Sequence, residues 1–474
     1  MHAHAPTGAR FTTGSLMRHV AVMASTSAIG LMAVFAVDLI NLFYISLLGQ
    51  KEIAAAVGFA GVVGFFHTSI AIGLTIGISA VVSRAIGGGH MHDARRIATA
   101  SLVLMVAITA VVGSGTSLLL GPLLDALGAT GETRRLALRY LSITVHSLPL
   151  LGIGMACSAL LRSVGDPRRA MTITLGAAVV TAALDPLLIF GLHLGLDGAA
   201  ITAVISRCML AAVGLHGVAR QHRLFGRFER AHFAADARRL TQVAAPAVLT
   251  NLATPVGAAF VTHSIARFGA DATAGQATID RLSPVAFGLI YALSGAVGPI
   301  LGQNLGARLY GRVRECMRDA LVFMLIAVAV AWTVLALAQD WVVRGFSAHG
   351  QAEALIRFFC SWLAGSFFFV GALFVANAAF NNLGRPLWST AFNWMRATLG
   401  TIPFAWWGSR YGPIGVLVGQ AIGSAIFGSL ALIAAFRLTA QLVPADAQTA
   451  TPESSALPGS SHVALAPVVA PADD

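Results

Sequence analysis

The chain has 474 residues, of which 57% are hydrophobic and 11% charged, with a formal net charge of +11. A soluble domain carries about 25% charged residues, so a single water-soluble core is excluded, and apolar runs of spanning length recur throughout. The arginines sit in short loops between these runs, not in a solvated basic domain, which argues against a nucleic-acid partner.

Residues 1–15 read as a short cytoplasmic segment. The apolar run that begins near Leu16 is too long for a signal-peptide core. Twelve spans are predicted, at 19–47, 54–83, 97–120, 136–161, 170–191, 198–219, 240–266, 275–305, 319–338, 353–382, 387–408 and 412–437. Strand-type alternation is absent, so the predicted fold class is an all-α polytopic membrane protein. The basic segment 220–239 reads as a cytoplasmic linker able to lie on the membrane surface. The tail 438–474, rich in Ala, Pro and Ser, reads as disordered.

Loops after even-numbered spans hold seventeen arginines, and the opposite loops with their helix starts hold eight basic residues. That bias predicts a multi-pass protein of the bacterial inner membrane with both termini cytoplasmic.

The chain also repeats. Gly49 corresponds to Gly269, Gly87 to Gly306, the Gly165-Asp166-Pro167 turn to Gly384-Arg385-Pro386, and Gly198 to Gly415, all at offsets of 217 to 220. Six spans per repeat make the repeats parallel. Two six-helix bundles, 16–219 and 240–437, facing each other across a cleft suit alternating access.

Acids inside spans are costly and usually face a cavity. Asp38 lies in span 1 with Asn41 three residues later on the same face. Asp185 lies in span 5, one turn after Thr181 and directly before Pro186, a candidate hinge. Asp280 in span 8 is a weaker candidate, since it can lie near a helix start. Spans 7, 11 and 12 hold no acid. His67, His146 and His263 have no metal-ligand spacing and read as helix–helix contacts. The four cysteines imply no disulfide framework. Gly415, Gly419 and Gly423 read as a tight packing face. Phe367, Phe368, Phe369, Trp394, Trp406 and Trp407 either line a cavity for flat cations or face lipid and its interface.

With these residues in view, the chain resembles the multidrug and toxic compound extrusion (MATE) family over about residues 16–437. The resemblance rests on ALLRSVGDPRRAM, LDPLLIFGLHLGLDGAAI, PAVLTNLATPVGAAFVTHSIARFGA, GPILGQNLGAR and Gly49 after the first span. LDPLLIFG looks most like the DinF-like branch. The resemblance implies a monomeric exporter, not an enzyme, that exchanges protons or sodium for small organic, often cationic, compounds, with no bound cofactor or metal. It places Asp185 at the branch's span 5 acid, with Tyr140 and Thr202 as polar partners. Asn41 stands where the family usually has its span 1 acid, and Asp38 is one turn earlier. The missing span 7 acid favours protons over sodium. The expected site is Asp38, Asn41, Tyr140, Thr181, Asp185 and Thr202. The competing readings are sodium-coupled antiport and a flippase for lipid-linked or amphipathic substrates. A flippase would need several cleft cations, and only Arg207, Arg281 and Arg396 lie more than about one turn inside the predicted spans.

Overall fold

The computed structural model describes residues 8–47 and 50–442. Residues 1–7, the landmark Gly49 and the tail from 443 onward lie outside the described residues. Residues 438–440 continue the last helix.

Every described span is helical, because in lipid a backbone must satisfy its own N–H and C=O groups. The first seven spans are Leu16–Leu47, Lys51–Gly87, Met91–Ala126, Gly131–Ser163, Pro167–Gly191, Gly195–Gln221 and Arg230–Ala266. Span 8 is a bent pair, Ala270–Ala286 and Gly288–Gly306, meeting at 47°. Spans 9 and 10 are Tyr310–Gly345 and Gly350–Asn382. The stretch Pro386–Ala440 is two spans, because the chain reverses at Ser409–Tyr411 and Gly412 takes φ 85°. Twelve spans result among the described residues. Large apolar side chains such as Leu118, Leu337, Trp341 and Trp362 point outward, as a lipid-facing surface requires.

The repeat is visible in the irregularities as well as in the glycines. Span 4 is broken by a 3-10 turn at Val145–Ser147, and span 10 by one at Ala364–Ser366, 219 residues later. Left-handed turn positions repeat at the same offset: Gly131 and Gly350 at φ 56° and 58°, Gly165 and Gly384 at 80° and 79°. In two turns the second copy keeps the left-handed backbone without glycine, at Arg308 and Ser347.

The helices of the two lobes meet where both termini emerge. There a β-carbon on Gly87 would clash with the Gln303 backbone, and one on Gly306 with the Arg84 backbone. These are equivalent residues in the two repeats, so the contact is reciprocal. Residues 8–15 plug the same seam. The Phe11 N–H donates to Gln303 Oε1 at 2.9 Å, the Asn304 amide donates to the Phe11 carbonyl at 3.1 Å, and Gln303 Nε2 donates to the Ser163 carbonyl at 2.7 Å. Toward the opposite face, Gly58, Gly61 and Gly64 of span 2 have open space before them. The two halves are therefore in backbone contact at the terminal face, whereas these glycines of span 2 are free of close neighbours.

The segment 220–239 is not a single surface element. Span 6 ends at Gln221, residues 222–229 cross without regular structure, and Arg230 to Arg239 form the first turns of span 7. Arg96 fastens those turns, donating to Asp236 at 2.9 Å. Asp166 holds the crossing: it accepts from the Arg169 guanidinium at 2.6 Å and bonds the His222 ring at 2.9 Å. Burial pushes the Asp166 carboxyl up, but the hydrogen bonds from His222 and Arg169 outweigh it and leave the carboxyl below its ordinary value. Its stabilising contribution is therefore complete above the unfolded value of about 3.9 and is lost as pH falls through the lower folded value. Hydrogen exchange in 222–229, corrected for intrinsic pH dependence, should stay constant down to about pH 4 and accelerate below it. Asp166→Asn should remove that step.

Spans 11 and 12 form a tight antiparallel hairpin. Gly415, Gly419 and Gly423 lie against the backbones of Gly408, Phe404 and Gly400 in turn, as the sequence spacing predicts. A β-carbon on Gly423 would clash with the Gly400 carbonyl. Gly423→Leu should cost about 1–3 kcal/mol or more through overpacking and lower the melting temperature of the purified protein. Melting together with the wild type would refute this packing.

Candidate functional site

Span 5 carries Asp185 and then Pro186, which has no N–H to continue the helical ladder. Beyond Pro186 the helix widens into a π-turn at Leu187–Gly191. Asp185 is 1% exposed. Its Oδ2 accepts a hydrogen bond from Asn41 Nδ2 at 2.8 Å, joining span 1 to span 5. Its Oδ1 is buried and has no hydrogen-bond partner among the described residues. An ionised carboxylate only accepts, whereas a protonated one also donates.

The two threonines expected beside Asp185 are there, and the Thr202 hydroxyl stands close enough to the carboxyl to act on it. Thr181 donates to the Ala177 carbonyl and Thr202 to the Gly198 carbonyl, each at 3.0 Å and each within its own helix. Thr202 is fully buried behind the carboxyl. The amide of Asn41 makes the strongest described contact to the acid.

A cavity of about 680 Å³ opens in front of this pair. Asp38, Asn41, Tyr140 and Thr181 line it, whereas Asp185 and Thr202 sit behind its wall. Asn41 therefore connects the cavity to the buried acid. Tyr140 stands near enough to Asp38, Asp185 and Arg207 to feel the charge of all three. Asp38 shares the wall one turn before Asn41 but makes no described hydrogen bond to the pair.

The sequence reading did not include Arg207 in this site. It lines the cavity, and its Nη1 donates to the Thr144 carbonyl at 2.6 Å and to Ser147 Oγ at 2.7 Å. The 3-10 turn explains the first bond. Leu148 N–H bonds Val145, three residues back, which leaves the Thr144 carbonyl without its helical partner. Pro149, just after the break, was the only sequence cue.

Asp280 is not part of this constellation. It lies in the other lobe, well inside the helix Ala270–Ala286 and not near its start, and accepts from Gln276 at 2.9 Å. His67 bonds Thr116 across spans 2 and 3, but His146 and His263 bond within their own helices. No group of metal-binding side chains occurs among the described residues. The aromatic residues form no box: Phe367 stacks on Phe287, the Trp394 indole donates to the Leu249 carbonyl, and Trp406 and Trp407 are half exposed.

A family model described as MatE matches residues 27–187 and 246–407, one stretch in each lobe. Among curated proteins, the FAD transporter of Shewanella oneidensis is 31% identical over 418 residues, 86% of this chain and 91% of that one. The multidrug export protein MepA of Staphylococcus haemolyticus is 24% identical over 325 residues, 68% of this chain and 71% of that one. Among solved structures, a mutant of the Vibrio cholerae MATE transporter VcmN matches with a TM-score of 0.86 at 24% identity, over 90% of this chain and 99% of that one. That likeness establishes the fold.

Proposed function

The chain belongs to the MATE family of multidrug and toxic-compound efflux transporters, and from that premise we propose that it exchanges protons for small organic compounds by alternating access. The carrying observation is the Asn41–Asp185 hydrogen bond, with one carboxylate oxygen left buried and unpaired. A proton arriving at Oδ1 removes the buried charge and weakens the hold of span 5 on span 1. Span 1 then shifts and reshapes the cavity that Asp38, Asn41, Tyr140 and Thr181 line. Asp280 takes no part in this step. The Leu187–Gly191 turn after Pro186 is the place where span 5 can flex.

The lobes, 16–219 and 240–437, act as the two moving bodies of one monomer in the bacterial inner membrane. Both termini are cytoplasmic, so the backbone contact between the lobes faces the cytoplasm. No cofactor enters this scheme. The absence of an acid from span 7 supports protons over sodium.

The test uses everted vesicles, ethidium and a pH-sensitive dye. Sodium-independent dequenching on adding ethidium is expected. A response only in the presence of sodium would replace protons by sodium. A second reading, export of an anionic dinucleotide, is favoured by the Shewanella relative's name and by the arginines described next.

A further inference from the structure

A separate cavity of about 120 Å³ lies between the lobes, away from Asp185. Its wall carries Arg162 from span 4, Asn377, Asn381 and Asn382 from span 10, and Ser389 and Asn393 from span 11. No acid lines it.

Four of its polar atoms have no partner among the described residues, Ser79 Oγ among them. Asn381 Oδ1, Asn382 Oδ1 and Ser389 Oγ are buried and unbonded, and these residues are 6%, 6% and 0% exposed. The Asn382 amide nitrogen already donates to the Ala378 carbonyl at 2.8 Å, so its oxygen is the free atom. Unpaired buried acceptors are destabilising, and a ligand with N–H or O–H donors would relieve that.

Arg162 has five N–H donors. Its only described side-chain hydrogen bond is from Nη1 to Ser158 Oγ at 2.9 Å, and it makes no described ion pair. A mostly buried guanidinium without a carboxylate calls for an anion. Its fork matches phosphate oxygens in pairs.

Asn381 and Asn382 also line a second cavity, of about 1280 Å³, at the terminal face. That vestibule holds Arg84, Arg239, Arg308 and Arg312 against one acid, Asp93, which pairs with Arg96 at 2.8 Å. Arg312 donates to Asn304 and to backbone carbonyls, not to a carboxylate. The vestibule and chamber are both basic and adjoin at Asn381 and Asn382, and a clustered positive field draws anions and repels cations.

We propose that the inter-lobe chamber is a substrate site for a phosphate ester that also carries hydrogen-bond donors, the chemistry of a nucleotide. Arg162 holds the phosphate, and the oxygens of Asn381 and Asn382 accept from the polar N–H or O–H edge. The chamber fits one such group, and the larger vestibule takes the remainder. The proposal rests on the exporter reading and names its substrate class.

The experiment uses the full-length protein in nanodiscs, with dissociation constants for FAD, inorganic pyrophosphate and ethidium at fixed salt. FAD should bind, pyrophosphate should compete with it, and Arg162→Gln should raise the FAD dissociation constant roughly ten- to hundred-fold. Arg162→Lys should fall between. An unchanged constant in Arg162→Gln, or a folded wild type that binds neither FAD nor a lipid-linked sugar pyrophosphate, overturns the proposal. The lipid-linked compound displacing pyrophosphate while FAD does not would keep the phosphate site and name a lipid as its source. If Arg162→Gln does not fold, maleimide labelling of Asn381→Cys in a Cys208→Ser background takes its place: FAD should slow it, and no protection refutes the site. Proton movement read in parallel separates the two readings. Ethidium-driven movement without FAD or lipid-pyrophosphate binding overturns only the chamber. Binding without proton movement by any substrate overturns only the coupling.

Discussion

Asp185→Asn should abolish proton-driven export while leaving the protein folded. Asparagine keeps the shape of the side chain and can still accept from Asn41, so the link between spans 1 and 5 survives. What it loses is the ability to gain and release a proton. Exchange of one proton for one ethidium cation moves no net charge, so the pH gradient drives it, and one pH unit is worth about 1.4 kcal/mol, roughly ten-fold in accumulation per proton. That factor should vanish from the ethidium gradient in everted vesicles, and the pH dye should stay silent. Melting close to the wild type would show that the loss is of coupling and not of fold. Full coupling in Asp185→Asn would shift the proton site to Asp38 on the cavity wall.

Gly87→Ala should be almost as damaging, through a different route. One methyl group there meets the Gln303 backbone, which cannot swing aside as a side chain can. The lobes must part at the terminal face, and the reciprocal contact of Gly306 with Arg84 parts with them. An overpacking cost of about 3 kcal/mol would shift a two-state equilibrium by roughly a hundred-fold toward the terminally open form. Ser83, fully buried beside the seam, reports this directly. In a Cys208→Ser background, Ser83→Cys should label slowly from the terminal face, and the added Gly87→Ala should make labelling fast and export negligible. Unchanged labelling would mean that the seam adjusts locally instead of opening.

Much of the architecture is legible in the sequence because glycine and proline mark turns with a regular offset. Asn41 and Asp185 are expected in one six-residue site, and a hydrogen bond joins them although 144 residues separate them. Thr202 stands beside the carboxyl as expected, but the bonds the two threonines make along their own helices are not signalled. A threonine in a helix readily bonds the carbonyl four residues back, and Thr181 and Thr202 both do so. Arg207 escaped assignment for a related reason. Its partner is a backbone carbonyl released by a helix break, and no residue type advertises that. The N-terminal plug rests on one buried aromatic, Phe11, and on main-chain atoms, for which a sequence offers no periodic signal. The unpaired amides between the lobes were invisible because satisfaction is a property of neighbours, not of composition.

The reciprocal seam makes the two halves behave there as a fused homodimer. Gly87 meets Gln303, and their repeat equivalents, Gly306 and Arg84, meet in the same way. Such an interface is self-complementary, as in two-fold symmetric assemblies. A change at one position disturbs a contact shared with its counterpart, so drift is constrained in pairs along the seam. Away from it the halves differ: Asp185 lies inside one, and Asn377, Asn381 and Asn382 border the chamber from the other.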